Sequence, residues 1–392
     1  MDSRQNPYAP GAGSRPPELA GRGAIMERAA VALDRIRDGL HAQSIILVGL
    51  RGVGKTVLLN EIRRNADARG IETVTIEAPE HRSLPAMLAP PLKTALLRLD
   101  RGQAAASAAK RALGALRRFV GAFKVSFGDL EATIDLGEPV ADTGDLETDL
   151  PELIDLVGAA AAERGTAVAI FIDELQYVPE AELAALITAL HRARQNERPI
   201  TMVAAGLPQL VGQAGRAKSY AERLFRFTTI GPLDPGDAAN ALVIPARARG
   251  VEYEPDAIDA LLEVTGRYPY FLQEWGSQTW ELATASPISA NDVALATPAA
   301  VAALDDSFFR VRFDRLTPLE RRYLRAMAAL GPGPTRSTDI AARLGRTVRS
   351  VGPVRDALIK KGMIYSPAHG DSVFTVPLFD AYMRRVMPEA TE

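Results

Sequence analysis

Over the first 230 residues, short apolar runs alternate with stretches of helical period. Ile25, Ala29, Leu33, Ile36 and Leu40 recur at helical spacing within residues 23–43, ahead of the apolar run Ile45-Ile46-Leu47-Val48. A second helical pattern follows over residues 57–62, then the run Glu72-Thr73-Val74-Thr75-Ile76-Glu77. Residues 85–99 and 150–163 again read as helices, and residues 167–172 as a strand. Residues 180–194 and 200–205 repeat the helix–strand pair. Strands that alternate with helices predict a parallel sheet covered on both faces. Between these elements, residues 103–118 are Ala-rich with Lys110, Arg111, Arg117 and Arg118, which predicts an exposed basic helix. Alternation around Gly128-Asp129 predicts a β-hairpin insertion near residues 123–136, followed by an acidic loop to about Asp149.

Beyond Pro232 the strand signals fade. Residues 235–249, 255–265 and 268–285 read as helices, so residues 233–297 are expected to form an all-helical lid. Residues 298–313 read as a connecting helix that starts near Pro298. Thr317 at N-cap, Pro318 at N1 and Glu320 at N3 then open a helix that stops at Gly331-Pro332-Gly333-Pro334. Two more helices, 337–344 and 348–361, precede apolar pairs that flank the turn at 367–371. Three helices and a hairpin predict a winged helix-turn-helix within residues 298–392. Residues 1–17, with Pro7, Pro10, Pro16 and Pro17 among Gly and Ser, are expected to be flexible.

Composition narrows the chemistry. The chain has 392 residues, enough for two to three domains, with 24% charged and 47% hydrophobic residues, as in a globular soluble protein. Its formal net charge is −2, so any nucleic-acid contact must come from a local patch. The absence of cysteine excludes disulfides, thiolate catalysis and thiolate-bound zinc. Histidines 41, 81, 191 and 369 are scattered without metal-ligand spacing. No apolar run reaches membrane-spanning length and the N-terminus has no hydrophobic signal core, so no membrane partner and a cytoplasmic location are expected.

The strongest chemical signal is Gly49-Leu50-Arg51-Gly52-Val53-Gly54-Lys55-Thr56, between an apolar strand and a helix that begins near Val57. Strand, glycine-rich loop and helix form the context of a P-loop, whose backbone N–H groups surround the phosphates of ATP. Lys55 would place its charge on those phosphates and Thr56 its hydroxyl on Mg²⁺. Arg51 is read as facing solvent, with phosphate contact the alternative. The strand ending at Asp173-Glu174 is expected beside the P-loop strand. There Asp173 would hold Mg²⁺ and Glu174 would polarise the attacking water. Helix-capping acids are the other reading of this pair.

Three segments, GLRGVGKT, FIDELQ and Pro17-Glu18-Leu19-Ala20-Gly21-Arg22, resemble AAA+ ATPases of the origin-recognition-complex-like class and the related STAND signalling ATPases. The resemblance extends from about residue 17 to the C-terminus. It implies an α/β P-loop NTPase: an AAA+-like parallel-sheet core over 18–232, a helical lid, and a C-terminal winged helix, with ATP and Mg²⁺ as cofactors. It also implies that Leu19 and Arg22 lie near the base. Two departures stand out. The strand ending at Gly206 lacks the Asn or Thr that orients the lytic water. The lid carries Pro269, like the Gly-x-Pro motif of STAND proteins, where AAA+ motors place a phosphate-sensing arginine. Both imply slow turnover. By the same resemblance Arg223, with Arg226 as backup, would be an arginine finger reaching a second copy of the chain; a local ion pair is the alternative.

In the C-terminal region, Arg336, Arg343, Arg346, Arg349, Arg355, Lys360 and Lys361 face only Asp339 and Asp356. Arg346, Arg349 and Ser350 fall at the N-terminal end of the third helix, and Arg355 one turn on, as for contacts with duplex DNA. Protein docking is the other reading of this face. The sequence therefore leaves two functions open: an ATP-gated DNA-binding protein, or a signalling or scaffold ATPase.

Overall fold

The structure, a computed structural model, describes residues 1–388 apart from 12, 81, 101–107 and 124–142. The hairpin expected near 123–136 lies outside the described residues. Five strands, β1 (Ser44–Val48), β2 (Glu72–Glu77), β3 (Val168–Asp173), β4 (Ile200–Gly206) and β5 (Phe225–Thr229), form a parallel sheet in the order β2-β3-β4-β1-β5. Successive side chains leave opposite faces. Ile45, Leu47 and Phe171 therefore pack on α1 (Gly23–Arg37) and α2 (Lys55–Ala68). Ile46, Val48, Ile170 and Ile172 pack on α3 (Leu84–Leu99), α4 (Ala108–Ala122), α5 (Leu146–Glu163) and α6 (Glu180–Gln195). Burial on both faces explains why β1, β3 and β4 are predominantly apolar.

Two expectations need correction here. β4, not β3, lies against the P-loop strand, and β3 is one position further out. Three equally apolar strands carry no hydropathy signal that ranks them, so the order comes from the crossovers. α4 is not an exposed basic helix: Ala108, Ala112, Leu116 and Phe119 bury one face in the main core. Its small residues allow close approach to α3 and α5; Lys110 and Arg111 are exposed, and Arg118 reaches Glu152 of α5 at 3.9 Å.

After α7 (Leu210–Ala217) and α8 (Ala221–Leu224), which lead into β5, the chain forms the lid helices α9 (Pro235–Arg247), α10 (Pro255–Thr265), α11 (Pro269–Leu282) and α12 (Ala290–Leu304). Pro298 does not start a helix. α12 begins eight residues earlier at a capping box of Ser289 and Asp292, and Pro298 lies inside it. The expected division at 297/298 thus falls in mid-helix.

A π-helical turn, Asp305–Phe309, links α12 to α13 (Arg310–Asp314) and α14 (Pro318–Ala329), the latter capped by Thr317 and Glu320 as the sequence predicts. α15 (Ser337–Arg343), α16 (Val348–Lys360) and α17 (Phe379–Val386) complete the C-terminal module. Strands β6 (Thr335–Arg336), β7 (Ile364–Tyr365) and β8 (Asp371–Phe374) make a small antiparallel sheet in the order β6-β8-β7. Trp275, Phe308, Phe309 and Phe379 belong to one apolar cluster that runs without a break from lid to C-terminal module.

The N-terminal segment, expected to be flexible, is seated on the lid. Tyr8 is 5% exposed, its hydroxyl bonded to the Leu242 carbonyl at 2.7 Å and to the Tyr253 hydroxyl at 2.7 Å. The N-terminal ammonium donates to the Ala283 carbonyl at 2.7 Å, and Trp280 Nε1 to the Asp2 carbonyl at 3.1 Å. A buried aromatic with its hydroxyl satisfied outweighs the turn chemistry of the prolines. Among the described residues no helix is long and apolar enough to cross a membrane.

Candidate nucleotide site

The glycine-rich loop begins where β1 ends, because Gly49 leaves no room for a side chain. A Cβ there would lie 2.1 Å from the Ile230 carbonyl oxygen. Gly52 and Gly54 hold φ of 82° and 87°, the left-handed region that favours glycine, and Gly54 is the N-cap of α2. The N-terminus of α2 therefore opens on a cleft of about 730 Å³ between core, lid and C-terminal module. Arg51 to Val57 line it on one side, Asp173 and Glu174 on another, and Pro269 with Tyr270 on the lid side. Gly49 and Leu50 do not line it; their carbonyls instead accept Lys55 Nζ, each at 2.9 Å.

Lys55 is almost wholly buried, and burial pushes its ammonium down to about 8. Thr56 Oγ1 donates to Asp173 Oδ2 at 2.6 Å, although β3 is two strands away from β1. Burial raises the Asp173 carboxyl above its ordinary range. A buried carboxylate beside a hydroxyl is a hard-oxygen pair of the kind Mg²⁺ takes, with water and phosphate completing the shell. The residues present fit that ion.

Glu174 sits in the left-handed region at φ 53°. Its carboxylate is held from both sides: Arg51 approaches Oε1 at 3.3 Å, and Gln176 Nε2 donates to Oε2. Gln176 in turn accepts from Leu207 N–H at 3.0 Å, just past the end of β4. At Gly206 a Cβ would lie 2.8 Å from Gln176 Oε1, so the glutamine occupies the space that a side chain at the strand end would need. Arg51 does not face solvent. It also donates to Tyr177 Oη at 2.7 Å, and its side chain is 18% exposed. Its location between β3 and the C-terminal module, which no local pattern records, accounts for the difference.

Leu19 and Arg22 both line the cleft. Arg22 is the N-cap of α1 and donates to the Gly231 carbonyl at 2.6 Å and the Val53 carbonyl at 3.3 Å, tying the loop to the segment that follows β5. The lid helix α11 starts on the loop itself, since Tyr270 N–H donates to the Gly52 carbonyl at 3.1 Å. The C-terminal module reaches the same loop, where Arg51 N–H donates to the Thr375 carbonyl at 2.9 Å. Arg312, from α13, also lines the cleft and was not singled out by sequence. Nothing in its local pattern marks it; only the return of the chain over the P-loop does.

The remaining candidates lie elsewhere. Arg223 is exposed just before β5, at the end of the sheet away from the cleft. Among the described residues it makes no ion pair, with Glu222 or any other acid; its carbonyl accepts from Gln43 and Arg194. Arg346, Arg349 and Ser350 are exposed around the N-terminus of α16, where Thr347 is the N-cap. Arg355 is not available in the same way. It donates to Ser372 Oγ at 3.1 Å, Ser366 Oγ at 2.7 Å and the Asp371 carbonyl at 2.8 Å, pinning the β7–β8 hairpin to α16. Six residues on from Arg349, at about 100° per residue, it falls on a different face of α16.

Residues 18–203 match the family described as AAA ATPase domain, and residues 306–383 match a family described as a domain of unknown function. No curated protein matches the chain by sequence. Among solved structures it is similar in fold to the Walker-type ATPase PABY2304 of Pyrococcus abyssi, at TM-score 0.59 and 16% identity over 93% of this chain and 96% of that one. Weaker likeness extends to the ORC1 protein of Aeropyrum pernix, solved in complex with DNA, at TM-score 0.49 and 15% identity over 94% of each chain. The RuvB Holliday junction branch migration motor of Thermotoga maritima follows at TM-score 0.47 and 15% identity, over 97% of this chain and 100% of that one. The parallel-sheet core matches a P-loop fold of the AAA+ type, on the family match and the likeness to the Pyrococcus abyssi ATPase.

Proposed function

We propose that the chain is a slowly hydrolysing ATPase switch whose nucleotide state governs binding of duplex DNA by the C-terminal module, which we read as a winged helix. One observation carries this reading. The P-loop is hydrogen-bonded to the lid through Gly52 and to the C-terminal module through Arg51, so whatever fills the loop acts on both.

In this scheme Lys55 leaves the carbonyls of Gly49 and Leu50 for the phosphates of ATP. Thr56 and Asp173 would give up their mutual hydrogen bond to hold Mg²⁺, which would supply positive charge to the phosphates. Glu174 polarises water only once Arg51 and Gln176 release it, and β4 ends without a side chain to help. Slow turnover follows from both. Arg223 would act on the nucleotide of a second copy, since it lies far from the cleft of its own chain.

On the C-terminal module, Arg346, Arg349 and Ser350 remain as the DNA-facing set, and Arg355 supports the hairpin. Fluorescence anisotropy with a labelled random duplex tests the scheme in ATP, ADP and no nucleotide at two salt concentrations. ATP should tighten binding. Replacing Arg346 and Arg349 together by Ala should reduce the salt slope by about 2. Val348, 47% exposed on the same turn, supports a second reading in which this face docks a protein. Absence of DNA binding in all three states would select it.

A further inference from the structure

Among the described residues, four cations line the cleft: Arg22, Arg51, Lys55 and Arg312. Three are engaged by acceptors of the core. Arg22 is held by the Gly231 and Val53 carbonyls, Lys55 by Gly49 and Leu50, and Arg51 by Glu174 and Tyr177. Arg312 differs from them. Its guanidinium lies 4.2 Å from the centre of the Phe308 ring and donates to the Phe308 carbonyl, both on its own turn. Among the described residues no carboxylate lies within ion-pair distance of it.

Burial lowers the Arg312 guanidinium to about 10, which leaves it charged at neutral pH. Arg51, a like charge, acts in the same direction, while Glu174, Tyr177 and Tyr270 favour the cation. These neighbours place Arg312 at the end of the cleft marked by the β3 acids, away from the end lined by Leu19, Leu233 and Ala241. A partly buried cation without a carboxylate is costly unless an anion joins it. A guanidinium presents a fork that suits two phosphate oxygens. Among the described residues the lid offers no such group on its side of the cleft: it contributes Leu233, Ala241, Pro269, Tyr270, Gln273 and Glu274.

We propose that Arg312 is a further phosphate-binding residue, which receives the terminal phosphate of ATP together with Arg51 and so links that phosphate to the first helix of the C-terminal module. The proposal rests on the reading of the cleft as a nucleotide site. The phosphate competes with Glu174 for Arg51 and gives Arg312 the anion it lacks. ADP leaves Arg51 on Glu174.

The test compares the full chain with Arg312→Gln, which keeps a donor for the Phe308 carbonyl without the charge, and with Arg312→Lys. Arg310→Ala is the control; Arg310 is exposed and paired with Asp306 at 3.6 Å. Calorimetric titration with ATPγS and with ADP, in Mg²⁺, reads affinity without turnover, and thermal unfolding reads the fold. Arg312→Gln should weaken ATPγS by about tenfold or more while ADP stays within about twofold. Arg312→Lys should recover part of the loss. Without nucleotide, Arg312→Gln should melt no lower than the parent, because it removes a partly buried charge that no carboxylate pairs. Unchanged ATPγS affinity in a folded Arg312→Gln variant, or equal losses for ATPγS and ADP, would overturn the proposal. If the unmodified chain bound neither nucleotide, the reading of the cleft would fall first and this proposal with it.

Discussion

At the scale of single residues, the site is held in a resting arrangement by its own polar groups. Lys55 bonds the loop carbonyls, Thr56 bonds Asp173, and Glu174 bonds Arg51 and Gln176. Each of these groups therefore has a partner within the chain, as buried polar groups must. Lys55 has a consequence in pH. Its folded value of about 8 lies below the ordinary value of 10.5, so the unfolded chain binds more protons than the folded one between those limits, and stability rises with pH there. Phosphate binding has the opposite preference, because it needs the ammonium. Nucleotide affinity should accordingly fall above pH 8, approaching tenfold per pH unit, with proton uptake on binding. Titration calorimetry in buffers of different ionisation enthalpy measures both, and Lys55→Met should abolish the proton uptake.

At the scale of elements, short segments are used as ties. The N-terminal segment anchors at Tyr8 on the lid, and Ala9, Gly11 and Ser14 then pass along the cleft. Tyr8→Ala removes a buried aromatic and two hydrogen bonds, a loss of about 3 kcal/mol by the usual cost of large-to-small changes. The segment should detach locally while the rest of the fold persists. Hydrogen exchange at the Ala9 amide, which donates to Gln273 Oε1 at 3.1 Å, should accelerate on the order of a hundredfold. Unchanged protection would mean that Asn6 and the N-terminal ammonium suffice to hold it. The C-terminal module shows the same economy of means: Arg355 fixes the hairpin to α16, and Lys361 pairs with Glu320 at 2.8 Å across the base of α14.

At the scale of the whole molecule, core and lid do not meet alone over the cleft; the C-terminal module is a third wall. Arg51, Arg312 and Thr375 bring it against the P-loop, and Arg315 pairs with Glu80 at the rim. A nucleotide that re-sorts these contacts would shift the module relative to the core, which is what a switch requires. Self-association belongs to this scale too. If Arg223 serves a neighbouring copy, specific ATPase activity should rise with protein concentration, and Arg223→Ala should abolish that rise while leaving the dilute rate unchanged. A flat concentration dependence in the unmodified chain would remove the finger role.

Hydropathy and local chemistry determined β1 to β4, the P-loop, the capping of α14 and the acids at the end of β3, because each is written within about ten consecutive residues; β5 (Phe225–Thr229) carried no such signal. Packing between distant segments decided the rest. The strand order was not legible, since β1, β3 and β4 are equally apolar and only their crossovers rank them. Arg51 and Arg355 looked exposed because a side chain's partners, here Glu174, Tyr177, Ser366 and Ser372, lie far along the chain or across a turn. Tyr8 carried no sign of its seat among Leu242, Tyr253 and Trp280, which are more than two hundred residues away. Arg312 became visible only when the chain, having built the lid, returned over the loop where it began. Local free-energy terms depend on neighbours in sequence and can be read from it. Burial and charge pairing depend on neighbours in space, and for this chain those were set by the tertiary structure alone.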